Sequence, residues 1–393
     1  MGLNGKRILV GVSGGIAIYK TLSLLSLLNK RGAETRVIMT KGAQEFVRPL
    51  AFQTMSQHRV YTDLFSDEEG FIPHIDLTRE ADVLLIAPAT ANILSKMAHG
   101  LADDLLSATA LAAHCPVIVA PAMNVVMYRN PATQENIQRL RDRGVHIILP
   151  ESGWLACQEI GDGRMPEAED LADALDTFFT PKDLSGKHLL VTAGPTRERL
   201  DPVRFLTNDS SGKQGTAIAR RAVKRGAQVT LVHGPMQVEV PKGCRAIAVE
   251  TTGEMLEALK AELPRHQALI MAAAPADFRP VEEQEHKIKG SDDGKVRTLA
   301  LTDTPDILVS LQDVHTDQMM IGFATETEDL LLNARKKLEK KQLDYIVAND
   351  VTMEGAAFDF DTNIVTIIGR DREISLPKQS KEDVADHILD LLK

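Results

Sequence analysis

The sequence predicts an α/β protein of two Rossmann-like domains, each a mostly parallel sheet flanked by helices. Three observations carry this expectation. The chain has 393 residues, too many for one ordinary core and enough for two domains of about 180–200 residues. Short apolar runs rich in branched residues alternate with helical stretches along its length, which is the rhythm of βαβ units. That rhythm breaks once, at the turn-rich Thr180-Pro-Lys-Asp-Leu-Ser-Gly186, and restarts at Lys187. The expected division is a domain over 1–180, a linker over 181–186 and a domain over 187–393. The halves share an architecture but no obvious sequence repeat.

The elements follow in order. Arg7–Val12 reads as a buried strand, followed by Ser13-Gly14-Gly15 and an apolar helix to about Lys30. Strand-like runs recur at 35–39, 82–87, 116–121 and 145–149, and a polar helix over 167–179 closes the first half. In the second half, strands are expected at 188–193, 227–233, 245–249, 267–273, 319–324, 344–348 and 363–368. Helices are expected near 213–226, 252–263, 328–342 and 380–392. The charged stretch 282–297, with Lys287-Ile-Lys-Gly290 and Asp292-Asp-Gly294, reads as a mobile flap.

Hydrophobic content of 44% and charged content of 25% are those of a globular protein. A formal net charge of -10 opposes nucleic-acid and anionic-membrane partners, so a phosphate-bearing ligand must be held by local Lys, Arg and backbone N–H groups. Cys115, Cys157 and Cys244 lie far apart, which argues against a zinc site and a disulfide framework. No apolar run approaches the roughly 18 residues of a membrane span, and the chain opens directly into a strand. The expectation is a cytoplasmic protein.

Two glycine turns suggest ligand sites. His188-Leu-Leu-Val-Thr-Ala-Gly-Pro-Thr-Arg197 and the run on to Gly215 read as strand, long polar loop and helix, a layout that points N–H groups at an anion, with Arg204 and Lys213 adding charge. A Walker A loop is excluded, because Thr207 stands where its first glycine belongs and Gln214 follows Lys213. The loop runs about fifteen residues against the usual 2–6, and loops of that length here are usually functional; the ordinary alternative is Ser and Asn capping a helix. In the first half, Gly11-Val-Ser-Gly-Gly-Ile16 lacks the third glycine of a dinucleotide turn and suits a single phosphate. Ala87-Pro-Ala-Thr-Ala-Asn92 and Ser107-Ala-Thr109 place small and hydroxyl residues at strand ends, where open α/β sheets bind ligands.

Thr192-Ala-Gly-Pro-Thr-Arg197, Asp201-Pro-Val-Arg-Phe205 and Asn208-Asp-Ser-Ser-Gly-Lys213 resemble the signature of phosphopantothenate–cysteine ligases. Pro121-Ala-Met-Asn124 and Gly153-Trp-Leu-Ala-Cys157 resemble the flavin-dependent cysteine decarboxylases. Together they cover nearly the whole chain and resemble the bifunctional coenzyme A biosynthesis flavoproteins, with a flavodoxin-like flavoprotein domain followed by a ligase domain.

The resemblance implies FMN contacts at Ser13, Gly14, Thr40, Pro88, Ala89, Thr90, Ser107 and Thr109. It implies CTP contacts at Asp277, Lys287, Lys289, Pro305, Asp306, Ile307, Phe323, Lys337 and Lys341, with Lys287 also catalytic and Mg2+ assisting. Arg204 and Asn208 would hold the acyl intermediate, His74 would be the essential histidine, Asn124 would orient the substrate carboxylate and Cys157 would donate a proton. The implied substrates are phosphopantothenate, cysteine and CTP, and the implied assembly is a homo-oligomer of trimeric decarboxylase and dimeric ligase parts.

Ordinary roles stand beside these. Asn124 reads equally as a turn cap, Cys157 as an inert small hydrophobe, and His74 as a solvated loop residue bonded to Asp76. Lys336, Lys337, Lys340 and Lys341 read as a solvated helix face. Three places depart from the family pattern: Gln158 where glycine is expected, Asp209 where a basic residue is expected, and Asp303-Thr304 where Lys-Asn is expected. Rival functions are a non-catalytic flavin-binding regulator with a residual ligase domain and a nicotinamide oxidoreductase.

Overall fold

The computed structural model describes residues 2–65, 70–154, 160–289, 298–326, 330–350 and 360–393. The chain forms two compact units, Met1–Thr180 and Pro181–Lys393.

Among the described residues, the first unit is built on a six-stranded parallel sheet. Its order is Val60–Tyr61, Glu34–Met39, Arg7–Val12, Val83–Ala89, Val117–Pro121, His146–Ile147, or 3-2-1-4-5-6 in chain order. This is the Rossmann order; the flavodoxin order obeys the same rule that ligands sit where the winding reverses. The strands are continuously apolar because both faces are covered. Ile8 and Val10 pack with Leu24, Leu28, Leu171 and Leu175 on one face, while Leu9, Leu84 and Ile86 pack with Ile93, Leu94 and Leu140 on the other. The two-residue strand Val60–Tyr61 and the antiparallel pair Glu151–Trp154 and Ile160–Arg164 were not expected from the sequence.

The second unit repeats the plan. Its main sheet runs Cys244–Ala248, Gln228–His233, His188–Ala193, Ala268–Met271, Met319–Glu326, Tyr345–Asp350, Thr362–Gly369, Glu373–Ser380. The first six strands are parallel and the last two antiparallel. Val191 and Ile270 pack with Ile218, Ala222 and Ile388 on one face, and Leu190 and Leu269 with Met255, Leu259 and Leu338 on the other. The edge strand Glu373–Ser380 escapes sequence reading because Pro377 breaks its apolar alternation. An edge tolerates the missing N–H, and the pairing register shifts beside it. The polar loop after Gly194 is also more ordered than expected, since it contains the antiparallel pair Arg197–Arg199 and Phe205–Thr207.

The turn-rich 181–186 segment packs into the second unit. Leu184 is fully buried in the core, and Arg225, 5% exposed, grips Asp183 with Nε and Nη2, each at 2.9 Å. The same guanidinium reaches Asp390 at 2.8 Å and Asp386 at 3.5 Å. Its hydrogen bonds, with help from Lys393, hold the Asp183 carboxyl below the usual carboxylate range.

Arg225→Met strands these carboxylates and is expected to destabilise the second unit by about 2–3 kcal/mol, read as a shift of that unit's denaturant transition in the full chain. Asp183 binds fewer protons folded than unfolded, so its contribution is present above about pH 4 and is lost as pH falls through the depressed folded value. The gap between the two proteins therefore narrows in acid.

Candidate functional site

In the first unit, strands Arg7–Val12 and Val83–Ala89 lie side by side where the winding reverses, and a cavity of about 790 Å³ opens beyond their C-terminal ends. Ser13, Gly14, Thr40, Thr90 and Asn124 line it. Ser13 Oγ donates to the Pro88 carbonyl at 2.7 Å and accepts the Thr90 N–H at 3.0 Å, which ties the two strand ends together. Gly14 sits so close to the next loop that a Cβ would lie 2.5 Å from the Gly42 carbonyl carbon. Glycine here lets two backbones form one wall.

The other expected contacts stand differently. Pro88 takes part through its carbonyl, and Ala89 is buried in the strand. Ser107 completes a capping box with Asp104, and Thr109 donates to the Leu105 carbonyl at 2.6 Å, so both hydroxyls serve their own helix. Asp104 also pairs with Lys96 at 2.7 Å on the cavity wall.

Asn124 is both a cap and a lining residue: its Oδ1 accepts the Val126 N–H at 2.8 Å. The strand Ile160–Arg164 presses on this loop, with the Met123 N–H donating to the Gly163 carbonyl at 3.0 Å. A Cβ on Gly161 would come within 2.6 Å of Val125. Cys157 and Gln158 fall between the two strands of this pair and lie outside the described residues. His74, on the helix Pro73–Glu80, is not among the residues lining the cavity. Its bond to Asp76 does not form; Asp76 accepts the Ile72 N–H at 2.7 Å instead. The His74 Nδ1 is buried with no hydrogen-bond partner among the described residues.

Lys20 was missed by sequence reasoning. It is 4% exposed, lines the cavity, and donates to the Met165 carbonyl at 2.6 Å and to Glu167 at 2.9 Å. A buried charge costs several kcal/mol unless paired. The available signal was a cation on the inward face of the otherwise apolar start of the helix Ile18–Lys30.

In the second unit the reversal falls between His188–Ala193 and Ala268–Met271, and the signature segments converge beyond their C-terminal ends. Asn208 Nδ2 donates to the carbonyls of Pro275 at 2.8 Å and Ala274 at 3.3 Å. The Thr196 hydroxyl accepts the Ala276 N–H at 2.9 Å and meets the Thr252 hydroxyl at 2.9 Å, while Thr304 donates to the Ala276 carbonyl at 2.5 Å. Asp277 is left exposed. Thr304, at a departure from the family pattern, thus braces the loop that carries Asp277.

The cations divide. Lys213 pairs with Asp361 at 2.7 Å and Arg204 with Asp201 at 2.9 Å, so the charge expected of them for a bound anion is engaged within the protein. Asp201 is fully buried. Burial would raise its carboxyl, but the N–H groups of Val203, Ile288 and Arg204 and the guanidinium outweigh that and hold it below the usual range. On Leu330–Lys340 and the turn after it, Lys336 and Lys340 are exposed, whereas Lys337 and Lys341 are half-buried and Lys341 pairs with Asp306 at 3.2 Å. The solvated-face alternative therefore holds for the first pair only. Asp306 also caps the short helix Ile307–Ser310, whose Ile307 is buried, and Phe323 packs half-buried against the core. Pro305 directly precedes that cap, and Lys287 and Lys289 are exposed. Part of the charged 282–297 stretch, 290–297, lies outside the described residues.

Gly234 is buried where the next strand ends, and any Cβ there would overlap the Pro195 carbonyl outright. Gly234→Ala is expected to destabilise the second unit by about 1–3 kcal/mol and to displace the Thr196 network, impairing chemistry in that unit while leaving the first unit's ligand binding intact; unfolding and binding measurements on the full chain check both.

The family model described as Flavoprotein matches residues 2–180, and that described as DNA/pantothenate metabolism flavoprotein C-terminal domain matches residues 184–393. The chain is 47% identical to the coenzyme A biosynthesis bifunctional protein CoaBC of Bacillus subtilis (strain 168), over 98% of this chain and 96% of that one. It is 41% identical to the protein of that name from Escherichia coli (strain K12), over 99% of this chain and 97% of that one. The crystal structure of a C-terminal domain of such a bifunctional protein is 40% identical, covers 54% of this chain and 96% of that chain, and superposes with a TM-score of 0.46. The chain belongs to the family of bifunctional coenzyme A biosynthesis proteins, in which a flavoprotein domain precedes a pantothenate-metabolism domain.

Proposed function

We propose that the unit over 181–393 is a CTP-dependent phosphopantothenate–cysteine ligase and the unit over 1–180 an FMN-dependent phosphopantothenoylcysteine decarboxylase, together converting phosphopantothenate and cysteine into phosphopantetheine. The observation that carries this is that residues picked out in the sequence stand at the strand-order reversal in each unit: Ser13, Gly14, Thr40, Thr90 and Asn124 line the first unit's cavity, and Asn208 bonds the loop that carries Asp277 in the second. Both rivals are disfavoured, because the relatives matching the whole chain are coenzyme A biosynthesis bifunctional proteins and residues 2–180 of this chain match the Flavoprotein family.

In the ligase, a carboxylate oxygen attacks the α-phosphorus of CTP and releases pyrophosphate; the cysteine amine then displaces CMP from the acyl-cytidylate. Negative charge grows on the α-phosphate, so cations are required there: Lys287, Lys289, Lys337, Lys341 and Mg2+ take that role. Asp306 orients Lys341. Asn208, its amide fixed by two backbone carbonyls, takes the role of meeting the acyl group.

In the decarboxylase, the cavity fits FMN: hydroxyls and a glycine wall stand at the strand ends, where a phosphate is held, and a broad space lies beyond. When bound, FMN would supply a reversible two-electron oxidation of the thiol, so that a C=S bond would stand where the charge left by departing carbon dioxide can spread. Asn124 orients the substrate carboxylate, and Cys157 gives the proton that regenerates the thiol.

His74 is absent from the cavity lining and keeps an orphaned nitrogen, while Ile16, Tyr19 and Met127, 50–61% exposed, form an apolar rim. Both features support a site shared between copies of the chain; the assembly of trimeric decarboxylase and dimeric ligase parts, in the cytoplasm, is what the family resemblance implies.

Cys157→Ser is expected to lower phosphopantetheine formation by about 100-fold or more while phosphopantothenoylcysteine still accumulates; unchanged phosphopantetheine output removes Cys157 from the chemistry. Lys287→Gln is expected to slow CTP-dependent ligation by about 10–100-fold and to spare decarboxylation of supplied phosphopantothenoylcysteine. Loss of both activities in that variant contradicts the division of labour.

A further inference from the structure

The turn 200–204 carries a buried carboxylate whose reach extends well beyond the turn. Asp201 is 0% exposed. Its Oδ1 accepts the N–H groups of Val203 at 2.7 Å and Arg204 at 2.8 Å. Its Oδ2 accepts Arg204 Nη1 at 2.9 Å and the Ile288 N–H at 3.0 Å. Arg204 Nη1 donates also to the Ile288 carbonyl at 2.8 Å. Both backbone polar groups of Ile288 are thus tied to one ion pair. Nearby, the Gln284 N–H donates to the Leu200 carbonyl at 3.0 Å.

These bonds matter because, among the described residues, little else fixes the stretch beyond the Val281 N–H bond to the Ala300 carbonyl. Residues 281–287 and Lys289 are exposed and Ile288 is half-buried, so apolar burial contributes little to its placement. Lys287 and Lys289 flank Ile288 directly. A flexible lysine stabilises developing charge effectively only when its backbone is already in place, since ordering it during the reaction costs entropy. A charge-assisted clamp on Ile288 supplies that order.

We infer that Asp201 is a positioning residue of the nucleotide site, holding the backbone between Lys287 and Lys289 through Ile288 with Arg204 as its strap. The inference rests on the assignment of Lys287 to CTP made above. A purely local role, closing the 201–204 turn, would affect the stability of the unit without acting through Lys287.

Initial-rate ligation by the full chain separates these roles. Asp201→Asn, whose amide nitrogen cannot accept the two hydrogen bonds made at Oδ2, is expected to lower kcat/KM for CTP by at least about tenfold, leaving KM for cysteine and decarboxylation of supplied phosphopantothenoylcysteine unchanged. Combined with Lys287→Gln, it is expected to add no more than about twofold, because residues acting as one unit are not additive. Ile288→Pro, which removes the N–H that Asp201 binds along with the Ile side chain and also restrains the backbone at Lys287, is expected to lower kcat/KM for CTP as well, and a wild-type value there overturns the role even if Asp201→Asn does not fold. A wild-type kcat/KM for CTP in these variants, or effects that multiply in the double variant, overturns the positioning role. A wild-type kcat/KM for CTP in Lys287→Gln overturns the nucleotide assignment itself, and the inference with it.

Discussion

The constraint on which the rest depends is the reversal of winding in each parallel sheet. Strands 1 and 4 lie adjacent, but the chains leaving their C-terminal ends turn to opposite sides, so no connection covers the gap between them. In the first unit Ser13 and Pro88 meet across that gap; in the second, Gly194 and the 272–277 loop do so, with the Ala274 N–H donating to the Gly194 carbonyl at 3.0 Å. Ser13, Gly14, Thr40, Thr90 and Asn124 line the first opening, and Asn208 bonds the carbonyls of Ala274 and Pro275 beside the second. Glycines let the backbones approach, and hydroxyls take up the polar groups that a loop would otherwise leave unpaired.

The second unit shows how charge is allotted in a protein of net charge -10. Many of its cations hold structure: Arg225 pins the 181–186 segment, Arg221 meets Asp386 at 2.8 Å, Lys213 meets Asp361, and Arg204 meets Asp201. The lysines assigned to the nucleotide either sit in exposed segments, as Lys287 and Lys289 do, or are partly committed to a neighbouring acid, as Lys341 is to Asp306. The field at the site is therefore local, and its strength depends on how firmly the carrying backbone is fixed.

The central strands were legible because a sheet covered on both faces demands runs such as Leu189-Leu-Val191 and Leu84-Leu-Ile86, which few other structures use. Elements stabilised by neighbours rather than by their own pattern were not. Val60–Tyr61 is too short to show a period, and Glu373–Ser380 hides behind Pro377. The Arg197–Arg199 and Phe205–Thr207 pair is held in part by Arg197 and Arg199 over the Phe205 ring, which no periodicity reports. The motif residues at the strand ends were legible in the sequence, and the structure gathers Ser13, Gly14, Thr40 and Thr90 on one cavity wall. What sequence could not show was the traffic between distant segments: Lys20 reaching Met165 and Glu167, and Asp201 reaching Ile288.

The most direct test of the central claim, that one chain carries two chemistries at two strand-order reversals, is product analysis by mass spectrometry. The purified chain is incubated with phosphopantothenate, cysteine, CTP and magnesium, and each reagent is omitted in turn. The account predicts phosphopantetheine in the complete mixture alone. Phosphopantothenoylcysteine accumulating there without phosphopantetheine would contradict the decarboxylase assignment, and the absence of both products would contradict the account as a whole.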